Sequence, residues 1–215
     1  MKRAIVWVFL AAAISTLDGC VVLGVGAAAG GAVVATDRRS VGIQLEDQRI
    51  ESRVKKALSD NVPEGAMQLD VTSYNRKVLL AGQVKTAEQR ALSESLARKV
   101  ENVREVVNEL TVGGTATLGD RTDDTLLAGK VKTALLGADG VPGGVVETTV
   151  EQGVVYLLGK VSPSEGDAAA TAASRVSGVR RVVKLFDLIT DQDVAAIKKS
   201  QTESPNSAKT NETRP

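Results

Sequence analysis

The chain repeats itself. Lys77-Val78-Leu79-Leu80-Ala81-Gly82-Gln83-Val84 returns as Val154-Val155-Tyr156-Leu157-Leu158-Gly159-Lys160-Val161, with Gly82 and Gly159 separated by 77 positions. At the same offset Val54-Lys55-Lys56-Ala57-Leu58 meets Val131-Lys132-Thr133-Ala134-Leu135. Val103-Arg104-Glu105-Val106-Val107 meets Val179-Arg180-Arg181-Val182-Val183 at an offset of 76. Three blocks in one order at nearly one spacing are an internal duplication, which constrains the fold before any other feature does. The 215 residues therefore hold two copies of one small module with segments before and after them.

Each copy predicts the order α-β-β-α-β. In the first, from about Glu46 to Gly113, Ile50, Val54, Ala57 and Leu58 fall on one helical face. Asn61, Pro63 and Gly65 stop that helix. Leu69 to Tyr74 and Lys77 to Val84 read as strands joined by a turn at Asn75-Arg76. Thr86 with Gln89 forms a capping-box signature, and Leu92, Leu96, Val100 and Val103 are the expected buried stripe of the helix that follows. Val106 to Val112 is the third strand. The second copy, from about Thr122 to Ile189, repeats this plan. Asp123 or Asp124 caps a helix carrying Leu127, Val131, Ala134 and Leu135. Strands follow at Val145 to Glu151 and Val154 to Val161, joined at Gln152-Gly153. Ser162-Pro163-Ser164-Glu165 opens the second helix with a cap, a proline at its first position and a glutamate at its third. A last strand runs from Val182 to Ile189. The expected fold class is α+β: two tandem αββαβ modules, each a small three-stranded mixed sheet with two helices. A module of this size has a core worth only ~3–5 kcal/mol, so the two are expected to lean on each other or on a membrane.

The flanks read differently. Lys2-Arg3 followed by the apolar run Ala4 to Leu17 has the build of a secretory signal, and the run is too short to span a bilayer comfortably. Leu17-Asp18-Gly19-Cys20 resembles a bacterial lipobox: Leu17 and Gly19 match it and Asp18 departs. The resemblance implies cleavage after residue 19 and lipidation of Cys20, the chain's single cysteine. Residues 20–45 then form the lipidated cysteine and a Gly/Ala-rich linker, which serves either as an apolar leash or as a small-residue packing surface. Thr36-Asp37-Arg38-Arg39-Ser40 marks the expected return to water. Residues 190–215 read as a polar, disordered tail with at most a helical turn near Val194 to Lys199.

Composition excludes several functions. With no histidine and one cysteine, there is no His-based triad, no Cys–His dyad and no Cys/His zinc site. No catalytic residue, metal ligand, cofactor or small-molecule substrate is expected, and the chain reads as a non-enzyme. A net charge of +1 and five aromatics give no nucleic-acid signature. Gly82 and Gly159 serve as close backbone approaches or strand-end kinks. Asp123-Asp124 serves as a helix cap or as a carboxylate pair.

The duplicated Gly-x-Val strand ends, together with Val100-Glu101-Asn102-Val103-Arg104-Glu105-Val106-Val107-Asn108 and its counterpart from Ser174 to Val182, resemble the BON-domain family. With the lipobox in front, the chain is similar to its dual-domain outer-membrane lipoproteins. That resemblance implies a lipid anchor in the outer membrane facing the periplasm, a role in envelope integrity, and anionic phospholipid as the partner of the second module. Val21 after the cysteine, not Asp, agrees with the outer membrane. The family's lipid-binding helix carries Asp-x-Trp near its start; here Asp124-Thr125-Leu126 stands there. The implied lipid-binding residues are Leu126, Leu127 and Lys130. The alternative is an adaptor for envelope or cell-wall assembly proteins. If Cys20 is the anchor, Cys20→Ser moves the chain out of the membrane fraction or leaves it unprocessed. Unchanged mass and partition of that variant contradict the assignment.

Overall fold

The computed structural model describes residues 37–62, 67–114 and 118–203. The signal segment 1–19, Cys20, most of the leash and the end of the tail lie outside the described residues.

The first module contains α1 (Val41–Asn61), β1 (Met67–Tyr74), β2 (Lys77–Val84), α2 (Ala87–Arg98) and β3 (Glu105–Val112). The second contains α3 (Leu118–Leu136), β4 (Val146–Glu151), β5 (Val154–Val161), α4 (Pro163–Ser174), β6 (Arg181–Lys184) and β7 (Asp187–Leu188). A last helix, α5, spans Asp191–Glu203. In each sheet the middle strand pairs antiparallel with the strand before it and parallel with the strand after α2 or α4. The α+β class and the tandem αββαβ plan are as expected. Both second-helix capping boxes are present, Thr86 with Gln89 and Ser162 with Glu165.

Several expectations change. Helix α1 starts at Val41, inside the expected linker, because Ser40 caps it by accepting from the Ile43 amide. Leu92 is 41% exposed; the face of α2 that enters the core belongs to Ser93 and Ala97, with Leu96 beside them. Helix α3 starts at Leu118, so Asp123 and Asp124 lie within it and cap nothing. The last strand of module two is split, which makes its sheet four-stranded: β6 pairs with Val154–Leu157 and β7 with Lys160–Val161. Between them Phe186 fills space that Gly159 and Gly166 leave; a Cβ on Gly166 would lie 3.1 Å from its ring. The expected polar tail is helical as far as Glu203, with Val194 buried at 8% exposure and a Thr190 cap closed by Asp193.

The Asp on the first helix of each module does a job that helix capping does not explain. The hairpin loops Asn75-Arg76 and Gln152-Gly153 are two residues long, with φ of 51° and 65° in the first and 51° and 71° in the second. This is the left-handed geometry of a tight hairpin, which Arg76 and Gln152 adopt only at a cost. Asp47 accepts from the amides of Asn75 (2.8 Å) and Arg76 (2.7 Å), and Asp124 from those of Gln152 (2.7 Å) and Gly153 (2.9 Å). A helix carboxylate thus fixes each turn, and Asp47 and Asp124 sit at the repeat offset. Gly82 has φ of 126°, and a Cβ there would overlap the Gln68 carbonyl oxygen. Its role is close strand approach.

The modules share a wall. Val78, Leu80 and Val84 of β2 face their own helices with Ile50, Val54 and Leu58. Val155 and Leu157 of β5 do the same with Leu127, Val131 and Leu135. The alternate residues Leu79, Ala81, Tyr156 and Leu158 meet across the gap together with Tyr74. The sheets therefore stack face to face, with helices on both outer sides. Thr72 and Thr149, equivalents in the two copies, hydrogen-bond to each other at 2.9 Å, which places a pseudo-two-fold axis between them. Asp187 of β7 takes Asn75 Nδ2 at 2.7 Å and Arg104 at 2.8 Å, with Lys77 at 3.3 Å. Burial works against its ionised form, but these donors hold its carboxyl below the usual range. Arg181 reaches Glu109 at 3.1 Å.

Arg38 and Arg39 belong to this wall and not to solvent. Arg38, 7% exposed, donates to the Lys160 carbonyl at 2.9 Å and bidentately to Glu165. Arg39 lies 3.9 Å from the centroid of the Tyr74 ring and reaches Asp37, Asp47 and Glu147.

Two outcomes follow from this arrangement. Asp47→Ala leaves two turn amides and the Arg39 guanidinium short of a buried acceptor, so denaturant unfolding shows a loss of roughly 3–5 kcal/mol. Glu151 behaves in the opposite sense. Burial first, then the charges of Asp124 and Asp70, push its carboxyl up to about 7. A carboxyl whose folded value is raised stabilises fully below its unfolded value, and that stability is lost as pH rises towards about 7. Glu151→Gln therefore melts above the parent at pH 8, and the difference closes as the pH falls towards 4.5. A gap independent of pH contradicts the assignment.

Candidate functional site

Helix α3 buries one stripe and exposes another. Leu127, Val131 and Leu135 are at most 7% exposed and fill the second core. Leu126 and Leu136 are each 60% exposed, and Gly129, Lys130 and Thr133 are exposed between them. At 100° per residue, positions 126, 129, 130, 133 and 136 form one stripe. It carries an apolar side chain at each end, about 15 Å apart at 1.5 Å rise per residue. Open space surrounds Gly129, so nothing among the described residues covers the middle.

The predicted lipid residues are thus divided. Leu126 and Lys130 share the exposed stripe, four residues apart. Leu127 does not join them: its side chain points inward, 7% exposed, beneath the α4–β6 loop, where a Cβ on Gly178 would lie 3.3 Å from it. Gly178, at φ of 103°, lets that loop close over Leu127.

A groove of about 590 Å³ opens beside the stripe, lined by Leu126, Lys130, Gln152, Ser177 and Arg180 among others. Arg180 is exposed, and its guanidinium Nη1 donates to the Gln152 carbonyl at 3.1 Å. Its backbone amide also donates to the Gly153 carbonyl at 2.8 Å. Lys130 and Arg180 border this groove beside Leu126, with Asp123 and Asp124 on the same lining; the two cations and the leucine are the parts suited to an anionic headgroup on an acyl surface. Arg180 comes from a distant element, and the sequence offers no spacing that ties it to Lys130; it reads there as an exposed loop residue.

The first module lacks the feature. Counting from Asp47 as the equivalent of Asp124, Arg49, Arg53 and Ser59 stand where Leu126, Lys130 and Leu136 stand. Arg49 and Arg53 are drawn to Glu46 (3.6 and 4.0 Å), and Arg53 also to Glu101 (3.6 Å). No group of three or more metal-ligating side chains occurs among the described residues. No helix among them is long and apolar enough to cross a membrane.

Known proteins resemble this chain in sequence. Residues 46–114 and 123–190 each match the BON domain. The chain is 38% identical over 171 residues to the outer membrane lipoprotein DolP of Haemophilus influenzae, covering 79% of this chain and 89% of that protein. It is 35% identical to a 21 kDa hemolysin of Actinobacillus pleuropneumoniae, over 71% of this chain and 79% of the relative. It is 30% identical to osmotically-inducible protein Y of Escherichia coli, over 71% and 77% respectively. Two family matches at the two halves of an internal duplication, and relatives aligned along most of their length, lead to one conclusion: the chain belongs to the BON-domain family and carries two copies of the domain.

Proposed function

We propose that this protein is an outer-membrane-anchored, periplasm-facing lipoprotein that supports envelope integrity by laying α3 of its second module on anionic phospholipid. The observation that carries the reading is the exposed Leu126–Lys130–Leu136 stripe, present on α3 and replaced on α1 by the ion-paired Arg49 and Arg53 and by Ser59. A duplicated scaffold needs no such stripe for folding, since the first copy folds without it. The relative named outer membrane lipoprotein DolP supports the location. The lipobox-like Leu17 to Cys20 supports acyl attachment of Cys20 after removal of residues 1–19.

The energetics suit a tethered contact. Burying an exposed leucine in the acyl boundary contributes ~1.5–3 kcal/mol. A basic residue at an anionic surface adds ~1 kcal/mol. Leu126, Leu136, Lys130 and Arg180 together give weak binding in solution. An acyl anchor joined through the 16 residues between Cys20 and Asp37 raises the effective concentration of the face at the bilayer. Such a leash spans at most roughly 60 Å.

The test uses the chain made soluble by Cys20→Ser. Adding Leu126→Ser and Lys130→Glu is expected to weaken co-sedimentation with anionic liposomes on the order of tenfold or more while leaving the melting temperature within a few degrees, because both side chains are exposed. Unchanged binding shows that this face is not the lipid contact. Binding that is equal for neutral and anionic vesicles in the parent contradicts the headgroup preference.

A further inference from the structure

The pseudo-two-fold axis through Thr72 and Thr149 relates two clefts along the seam. In the first, Arg39 sits against Asp47, Glu147 and the Tyr74 ring. Residues at the repeat offset line the second: Asp124 for Asp47, Asp70 for Glu147 and Glu151 for Tyr74. This second cleft has a volume of about 600 Å³. Residues 145, 146 and 147 border the first cleft, and their equivalents Gln68, Leu69 and Asp70 border the second. The two clefts share a pair of carboxylates at equivalent places, while Gly114 stands where the first has Asp37, a further partner of Arg39. One copy holds a guanidinium supplied by the chain itself.

We propose that the second cleft is a binding site for a guanidinium side chain, an arginine presented by a basic protein segment. Asp70 and Glu151 face it from the two sheets, and Asp124 faces it from α3. In the occupied copy, Asp47 grips the two turn amides and still reaches Arg39 at 2.9 Å, so Asp124, gripping its own turn in the same way, is free to do likewise. Gln68 also lines the cleft; its Oε1 lies buried behind that surface, without a hydrogen-bond partner among the described residues. Arg121 borders the cleft, is exposed, and forms no ion pair among the described residues. It stands at the position of Gln44, whose side chain donates to the Arg39 carbonyl, and is placed to grip the backbone of an incoming segment in the same way. The charged and titratable groups around Glu151 are Asp124 and Arg121 from α3, Asp70 from β1 and Tyr156 from β5. Burial first, then the charges of Asp124 and Asp70 set against the single Arg121, raise the Glu151 carboxyl to about 7. Occupation by a cation reverses this, so affinity rises with pH through that value.

The chain itself supplies the probe. A peptide of the sequence Thr-Asp-Arg-Arg-Ser, that of residues 36–40, is titrated into the 15N-labelled full chain held in neutral detergent. Free arginine and a peptide with both arginines changed to glutamine are titrated in parallel. Saturable shifts of the Asp70, Thr149 and Glu151 amides with the arginine peptide, stronger at pH 8 than at pH 6 and weakened on the order of tenfold by Asp70→Asn with Glu151→Gln, are the expected result. Equal binding of free arginine assigns the site to a small guanidinium compound. Weaker binding of free arginine assigns it to a protein segment. The site is overturned by absence of shifts with either at millimolar concentration, by binding of the glutamine peptide equal to that of the arginine peptide, or by insensitivity to the double variant. Shifts confined to Asp47 and Glu147 overturn it too, because they report displacement of Arg39.

Discussion

The contact between the two sheets is the constraint from which the rest follows. A strand with one face on helices and one in water alternates apolar and polar residues. Here β2 is buried along its full length, with Leu79 and Ala81 meeting Tyr156 and Leu158 of the opposite module. Those side chains are covered only because the second sheet is there. Hence each module is half of a core arrangement, and both middle strands read as continuous apolar runs. The charged groups are organised around that wall: Asp187 gathers Asn75, Lys77 and Arg104 on one side, and Arg38 and Arg39 staple another. Arg38 holds the Glu165 carboxyl below its ordinary value through their paired hydrogen bonds. Arg38 and Arg39 also fix the chain that leads into α1 at the seam.

Much of this was legible in the sequence for a physical reason. Duplication doubles every local signal, and the capping boxes, the paired strands and the two-residue turns depend on neighbours within a few positions. What stayed hidden depends on residues far apart. Asp47 and Asp124 look like helix residues, and only the fold brings the hairpin amides to them. Arg38 and Arg39 look like an exit into water, because nothing nearby announces Glu165 or Glu147 as partners. Leu92 carries a helical spacing that suits burial, yet Ser93 and Ala97 allow α2 to approach its sheet more closely than a leucine would. Helix α5 was read as polar chain because Val194 is a single buried anchor, too little to register as a periodic pattern.

The candidate surface was half legible. Leu126 and Lys130, which the family resemblance implies, share an exposed face, while Leu127, adjacent in sequence, belongs to the core. One residue of helix is 100°, and that angle separates a side chain available to lipid from one that is not. The two copies share backbone, turn locks and sheet register but diverge on their outer helices and in the two seam clefts. Helix α3, the counterpart of α1, lacks the ion pairs that Arg49 and Arg53 make there, while both copies share the seam.

The central claim is that the modules unfold as one unit through the seam. Hydrogen exchange of the full chain across a urea series tests it most directly. The account predicts that the slowest amides of β2 and β5 exchange with the same free energy and the same urea dependence, a slope belonging to the whole described unit. Two distinct free energies with two smaller slopes, one for β2 and another for β5, would show modules that open independently and would contradict it.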